Sequence, residues 1–426
     1  MRAVLTLFGA LLAATALLNI ANGSLFTLIG LRLAGSVEPS TVGIITSGHF
    51  IGLLTGSFTA TAIIARVGHI RAFTVFAAIA SCAVIMLGLF FSPAIWFLIR
   101  IVIGYAMAGL FMVLESWFNS QASNEDRGRV FAFYMVASSG AFAVGPFLVN
   151  LGDPETYGLF AMTAIILNLC LLPIALTRGG NPVIAQGRRL GLRRLFEISP
   201  LGVVGCVAAG LVNSAVYGLG AVYGDLVGLG AGGVSALFSA IILGGLAMQV
   251  PVGWISDRFD RRSTLLALTA AATIVSVAVV VLGSWSLALL PVLAFFFGGM
   301  TSPVYGLSVA QSNDYVEKEQ FVGVSSGLLI AYSLGAIAGP NIASWAMDAV
   351  GPAGLWLYAA VILLALGGFT VYRMRRRAPL PVLEQGNYIP PAGETPAGRA
   401  LDPRAQPSPA PAAEAESPSE KPAPAP

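Results

Sequence analysis

The chain has 426 residues, of which 56% are hydrophobic and only 10% are charged. A soluble domain carries about 25% charged residues, so this composition excludes an ordinary soluble protein and indicates a membrane protein. The formal net charge of +3 says little by itself, and we expect no nucleic-acid partner.

Long apolar runs follow one another along the chain. A hydrocarbon core ~30 Å thick needs about 20 apolar residues per helix, and the runs are too long and continuous for the alternating strands of a membrane barrel. We therefore predict an all-α integral membrane protein embedded in the lipid bilayer. The predicted helices are 4–30, 40–64, 70–92, 94–120, 128–151, 155–177, 199–224, 232–256, 262–284, 287–313, 320–347 and 352–375.

The first apolar run has an alternative interpretation. Arg2, followed by apolar and then small residues, is also typical of a secretory signal peptide. That interpretation would leave eleven helices and break the internal repeat described below. We therefore retain this run as the first of twelve helices.

The loop arginines predict the orientation, because cytoplasmic loops are enriched in Lys and Arg. With a cytoplasmic N-terminus, only Arg32 among these residues lies outside. Both termini are expected in the cytoplasm, in a bacterial inner membrane. The inside residues are Arg2, Arg66, Arg71, Arg127, Arg129, Arg178, Arg188, Arg189, Arg193, Arg194, Arg258, Arg261, Arg262, Lys318, Arg373, Arg375, Arg376 and Arg377.

Composition divides the chain into four parts. Residues 1–177 form an N-terminal six-helix bundle, and 178–198 form a basic, glycine-containing cytoplasmic linker. Residues 199–377 form a C-terminal six-helix bundle. Residues 378–426 are rich in Pro, Ala, Glu and Ser, so we expect a disordered cytoplasmic tail that is dispensable, with a role in regulation as the alternative.

The two bundles carry an internal repeat. A shift of 194 residues brings Gly104 onto Gly298 and Gly145-Pro146 onto Gly339-Pro340. The same shift brings Asn19 onto Asn213. A shift of 192 residues superposes the loop 65–71 on 257–263. Order and spacing together predict parallel repeats, which place a binding site at the interface between the halves.

One charged loop resembles a known motif. Its residues Gly253-x-x-x-Asp257-Arg258-x-x-Arg261-Arg262 are similar to the cytoplasmic loop motif of the major facilitator superfamily, with Asp260 replacing the second glycine. The equivalent loop of the first half departs further, with Thr61 for the first glycine and Ala65 for the aspartate.

Further motifs carry the same resemblance. Gly335-x-x-x-Gly339-Pro340 resembles the family's helix-packing motif, and Ala141-x-x-x-Gly145-Pro146 is its weaker partner. Arg100-x-x-x-Gly104 resembles another motif, with Ile103 for a glutamine. The segments 68–71, 115–119 and 127–129 are similar to the YcaD-like branch. The resemblance implies two pseudo-symmetric six-helix bundles that rock around a central site.

Two charged residues interrupt the fourth helix. Arg100 and Glu115 are 15 residues apart, which is ~22 Å along a helix, so they cannot pair. They point within about 60° of each other, and Met107 and Phe111 fill the face between them. Because a charge at the centre of a membrane helix costs about 2.5–3.5 kcal/mol, this stripe is expected to line a hydrated central cavity.

Each charge has two interpretations. Arg100 could bind an anion or tune a proton site, or it could extend to the outer headgroups. Glu115 could carry a proton, or it could form an inner gate ion pair with Arg66 or Arg71. In the charged loop, Asp257 is expected to accept hydrogen bonds, when the inner side is closed, from the N-terminus of a neighbouring helix such as the fifth helix. Its arginines are expected to pair with Asp260 or Asp314.

Other polar residues are candidate cavity liners. His49 lies inside the second helix and could titrate near neutral pH, although a lone membrane histidine is often a packing residue. The remaining candidates, which could instead form hydrogen bonds between helices, are Asn19, Asn22, Asn213, Tyr217, Tyr305, Ser308 and Gln249.

The expected function is secondary transport of a small organic solute, coupled to protons, by a monomer. The chain has no Gly-x-x-x-x-Gly-Lys-Ser/Thr motif, and no cofactor or metal site is expected; Cys82, Cys170 and Cys206 are dispersed in apolar runs. An uncoupled facilitator or a multidrug-type efflux carrier is the alternative. A membrane enzyme or sensor is disfavoured, because neither an acid/histidine cluster nor a soluble domain is evident. The solute is expected to be amphipathic and anionic, or else a cation steered by Glu115.

Overall fold

The structure is a computed structural model that describes residues 2–121, 127–176, 190–283, 285–317, 320–378, 381, 385, 386 and 388. Most of the predicted linker, including Arg178, Arg188 and Arg189, lies outside these residues. So do Lys318 and the tail from residue 389 onward.

The described chain is almost entirely helical, and twelve of its stretches are long and apolar enough to cross a membrane, as predicted. Two 3-10 helices, Gly145–Leu151 and Leu287–Leu289, accompany the α-helices. The α-helices are α1 (Arg2–Leu33), α2 (Pro39–Val67), α3 (His69–Leu89), α4 (Pro93–Gln121), α5 (Arg127–Val144), α6 (Tyr157–Leu169), α7 (Leu171–Ala175), α8 (Leu192–Ile198), α9 (Pro200–Leu226), α10 (Gly230–Ser256), α11 (Arg261–Leu282), α12 (Leu290–Asn313), α13 (Phe321–Val350) and α14 (Gly354–Arg376).

Prolines explain where the structure departs from the predicted helices. The fifth was expected to be one α-helix, but it tightens into a 3-10 helix at Gly145, next to Pro146, which has no amide hydrogen to donate. The sixth breaks at Cys170 because Pro173 cannot donate to the carbonyl of Leu169.

The linker also contains a helix that the sequence did not predict. Residues Leu192–Ile198 form α8, whose Leu195 side chain is buried against Gly327 of α13. The exposed Arg193 and Arg194 of this helix lie within 4 Å of Glu197. The linker is therefore tied at this end to the second half of the protein.

The internal repeat is a repeat of close helix contacts. Gly104 of α4 lies against α2, and Gly298 of α12 lies against α10 in the same way. Gly145 lies against α1, and Gly339 lies against α9. At each position a Cβ atom would collide with backbone atoms of the facing helix. The repeated glycines therefore allow the two halves to pack by the same scheme.

Candidate functional site

A cavity of about 280 Å³ lies between the two halves. Its wall is formed by polar, uncharged and aromatic side chains together with a few aliphatic ones. The amides are Asn19, Asn22, Asn213 and Gln249, the tyrosines are Tyr134, Tyr217, Tyr305 and Tyr332, and the phenylalanines are Phe26, Phe50, Phe111 and Phe142. Among the described residues, neither a carboxylate nor an arginine lines it.

The predicted site residues divide into a wall and a layer behind it. Asn19, Asn22, His49, Phe111, Asn213, Tyr217 and Tyr305 line the cavity. Arg100, Met107 and Glu115 are at most 1% exposed and do not line it. Of the stripe on α4, only Phe111 therefore reaches the cavity wall, and the other three residues lie one side chain behind it. Gln249, which could have lined the cavity or formed a hydrogen bond between helices, also lies in the wall.

Arg100 lies behind an aromatic residue of the wall. Its guanidinium carbon is 5.0 Å from the centre of the Phe26 ring, and the same ring packs edge-on against His49. Arg100 is 1% exposed, and its Nε and Nη1 atoms have no hydrogen-bond partner among the described residues. The guanidinium therefore stays inside the bundle instead of extending to the headgroups, and its charge acts on the cavity through Phe26.

Glu115 is linked to the cavity by a hydroxyl group. It is fully buried, and Tyr134, a wall residue on α5, donates a hydrogen bond of 3.0 Å to its Oε1 atom. Arg66 and Arg71 are both exposed, and neither forms an ion pair with Glu115 in the described part of the chain. In this state the expected gate pair is not formed.

Several wall residues were missed by the sequence analysis. Ser138, Ser139 and Ser302 line the cavity, as do Tyr332 and Ser333 of α13. The serines are small and common in membrane helices, so their type alone carried no signal. The helical period, in contrast, does indicate wall positions. Ile242, Leu246 and Gln249 recur at intervals of four and three residues along α10 and therefore share one helix face.

The halves are joined by two related hydrogen bonds on one side of the cavity. Ser47 of α2 donates to the carbonyl of Ile337 at 2.7 Å, and Ser239 of α10 donates to the carbonyl of Ala143 at 2.6 Å. The serines are 192 residues apart, and the acceptors are 194 apart. These are the two shifts of the internal repeat. We call these contacts the serine latches.

The Gly-Pro motifs lie beside the serine latches. Ser235 donates to the carbonyl of Pro146 at 2.8 Å. At the pseudo-equivalent place Gly43 packs so tightly that a Cβ atom would lie 2.6 Å from the carbonyl of Pro340. These contacts and the serine latches lie at the end of the bundle opposite the arginine-rich side. They close the cavity at that end.

The charged loop lies on the arginine-rich side. Arg261 is fully buried and donates from Nε to Asp314 at 2.6 Å. Arg262 lies 3.0 Å from Asp260. Both arrangements agree with the expected acid partners. Arg258 instead stacks on Trp254, with 3.7 Å between its guanidinium carbon and the ring centre.

Asp257 has a different partner from the one expected. The N-terminus of α5 was predicted to donate to it, but its Oδ1 atom accepts a hydrogen bond of 2.6 Å from the backbone N of Tyr388. Tyr388 belongs to the tail predicted to be disordered, yet it is 7% exposed. The fifth helix and Asp257 lie in different halves, and in this state the tail donates the hydrogen bond to Asp257.

Comparisons with known proteins agree with this architecture. The family model described as Major Facilitator Superfamily matches residues 7–300 and 203–396. An uncharacterised MFS-type transporter, YcaD of Escherichia fergusonii, is 27% identical over 345 residues, covering 79% of this chain and 88% of the relative. YcaD of Salmonella enteritidis is 28% identical over the same shares.

Solved structures share the fold. The nucleoside transporter NupG superposes with a TM-score of 0.72 at 13% identity, covering 88% of this chain and 100% of NupG. A bacterial homologue of the human lysosomal transporter Spinster, in an inward-facing and occupied conformation, gives 0.67 at 15% identity, covering 90% and 97%. The family model, which matches more than half of the chain, shows that the chain belongs to the major facilitator superfamily, a family of transporters rather than of enzymes.

Proposed function

We propose that the protein carries a small organic solute across the membrane by alternating access, coupled to protons. One observation supports this most strongly: a central cavity between two pseudo-symmetric halves is closed on one side by the serine latches. A carrier that rocks would break the latches when the other side closes. Binding that favours one of the two states shifts the equilibrium toward it.

The distribution of arginines supports an orientation. The side opposite the latches carries the charged loop and both described chain ends. By the positive-inside rule this side faces the cytoplasm, so the structure corresponds to the inward-open state. We place the protein in a bacterial inner membrane and expect it to act as a monomer.

The cavity wall supports a substrate class. Its phenylalanines and tyrosines provide flat apolar surfaces, and within the described part of the chain the amide oxygens of Asn22 and Gln249 lack hydrogen-bond partners. Such a wall suits an amphipathic solute that carries a ring and hydrogen-bond donors. Arg100 behind Phe26 disfavours cations, because the guanidinium charge is poorly screened inside the bundle. We therefore propose an uncharged or anionic solute over the drug-like cation.

The link between Glu115 and Tyr134 supports the coupling site. A carboxyl group that can gain a proton inside the bundle, and that contacts the cavity wall through a hydroxyl, is able to sense the occupied cavity. The Glu115 carboxylate only accepts hydrogen bonds, whereas the neutral acid can also donate one to Tyr134. Protonation of Glu115 therefore changes the position of α5 relative to α4.

Purified protein in proteoliposomes tests both claims. A pH-sensitive dye inside reports proton flux while neutral, anionic and cationic solutes are added; nucleosides are included because NupG is a nucleoside transporter. We expect flux with a neutral or anionic solute, and its loss in Glu115→Gln with solute binding retained. Glu317→Gln, an exposed loop position, is the matched control.

The outcomes separate the alternatives. Solute uptake without proton movement in the wild type would refute the coupling and leave a facilitator, with Glu115 as a gate residue. Selective transport of lipophilic cations would favour the multidrug-type carrier and refute the substrate class proposed here. Equal loss of flux in Glu115→Gln and Glu317→Gln would refute a specific role for Glu115.

A further inference from the structure

The start of the C-terminal tail contacts the charged loop through its backbone. The backbone N of Gly386 donates to Asp314 Oδ1 at 3.1 Å, and the backbone N of Tyr388 donates to Asp257 Oδ1 at 2.6 Å. Arg261 donates in return to the carbonyl of Gly386. We call Gly386 and Tyr388 the tail anchor. Three charged side chains of the second half thus bind two backbone amides and one carbonyl of its own tail.

The ring of Tyr388 lies directly on α10. A Cβ atom at Gly253 would come within 2.6 Å of the Cδ1 atom of Tyr388, so the ring can take this position only because residue 253 is glycine. The ring packs within the hydrophobic cluster of the second half and is 7% exposed. The glycine that opens the charged-loop motif is therefore covered by the tail.

The covered surface is the face of α10 that points toward the other half. Ser239, Leu246, Gln249 and Gly253 follow one another at helical spacing and share one stripe, within about 80° of rotation. At one end of the stripe Ser239 contacts α5, and in the middle Leu246 and Gln249 line the cavity. At the other end Tyr388 covers Gly253.

We propose that the tail anchor is a wedge that binds only while the arginine-rich side is open, and that it must leave α10 before this side can close. The binding site is the end of the α10 stripe with Asp257, Arg261 and Asp314, and its occupant is the chain's own tail. The wedge goes beyond the transport proposal, although it relies on the rocking described there.

The wedge acts by linkage. A segment that binds one of two states shifts the equilibrium toward that state by its differential affinity, and its covalent attachment keeps its effective concentration high. The anchor contributes three hydrogen bonds to charged groups and one buried ring. After the entropy of ordering the tail, a shift on the order of tenfold remains, equal to one or two net hydrogen bonds.

Two truncations of the full chain provide a matched pair. The variant ending at residue 384 lacks the anchor, whereas the variant ending at residue 390 keeps it. Spin labels at Thr74→Cys and Ser263→Cys, exposed positions at the arginine-rich ends of α3 and α11, report the separation of the halves. The background carries Cys82→Ala, because Cys82 is exposed while Cys170 and Cys206 are buried.

Distance distributions are measured by pulsed electron resonance without any solute. We expect the 390 variant to match the full chain, and the 384 variant to gain about tenfold in the ratio of short to long distances. Gly253→Ala in the full chain should reproduce this gain, because the added methyl displaces Tyr388, and it should add nothing to the 384 variant.

Three results would overturn the wedge. These are identical distributions for the two truncations, a shift toward longer distances in the 384 variant, and full additivity of Gly253→Ala with that truncation. None of them depends on finding a substrate, so failure of the wedge is distinct from failure of the transport proposal, which the proteoliposome assay measures.

Discussion

Removal of both serine latches should destabilise the closed side of the cavity. In Ser47→Ala with Ser239→Ala, the carbonyls of Ile337 and Ala143 lose donors at 2.7 and 2.6 Å that come from the opposite half. Both serines are almost completely buried, so water does not readily replace the hydroxyl groups. Ser47→Ala also removes a hydrogen bond of 2.7 Å that Asn341 of the opposite half donates to the Ser47 hydroxyl.

The magnitude follows from the number of hydrogen bonds. A hydrogen bond between membrane helices contributes about 0.6 kcal/mol, so the two latch bonds and the bond from Asn341 together contribute about 1.8 kcal/mol. Since about 1.4 kcal/mol corresponds to a factor of ten, this predicts roughly a twentyfold change in the ratio of the two states. Buried carbonyls left without a donor would raise the figure toward about 3 kcal/mol.

Labels on the latch side measure this ratio. Ser36→Cys and Asp225→Cys, exposed and in opposite halves, carry the spin labels in the Cys82→Ala background. The double alanine variant should gain long distances. Ser276→Ala is the control, because Ser276 bonds only to the carbonyl of Ala272 in its own helix among the described contacts. An unchanged distribution in the double variant, or an equal change in the control, would refute the latch.

The remaining predictions concern packing and buried charge. Gly104→Ala should lower the apparent melting temperature by an amount equivalent to about 1–3 kcal/mol, because its methyl collides with the backbone of α2; Gly140→Ala, with open space around it, should be neutral in the same thermal assay. Arg261→Met should destabilise by about 3–5 kcal/mol in thermal unfolding, because it removes the buried cation that pairs with the Asp314 carboxylate, and Arg261→Met with Asp314→Asn should recover part of the loss. Arg100→Gln should admit cationic solutes that the wild type rejects in the uptake assay, because it removes the charge behind the cavity wall; continued rejection would contradict the electrostatic argument.

Features that depend on length and spacing could be predicted from the sequence. The twelve spans follow from apolar runs, since a bilayer sets the length of a helix. The repeat was visible in Gly104 and Gly298 because close helix contacts restrict both places to glycine. The amide and tyrosine positions on α1 and α9 reached the cavity wall because polar side chains in a membrane helix turn toward the bundle interior.

Features that depend on which way side chains face in the folded bundle could not be predicted from the sequence. Arg100 and Glu115 share a stripe with Phe111, but the sequence cannot tell that Phe26 and Tyr134 stand between those charges and the cavity. The serine latches gave no signal because one partner is a backbone carbonyl, which every residue has. The tail anchor could not be predicted from composition, because a few buried residues do not change the mean hydropathy of a long polar segment.

The choice of a carbonyl as the latch acceptor has an evolutionary consequence. A hydroxyl that binds the backbone places no demand on the side chain at position 143 or 337. Those positions are free to vary as long as the helices keep their course, so the latch would leave no paired substitutions in a family of related sequences. What selection must preserve is the path of the backbone at the two Gly-Pro pairs, one at the start of a 3-10 helix and the other inside α13.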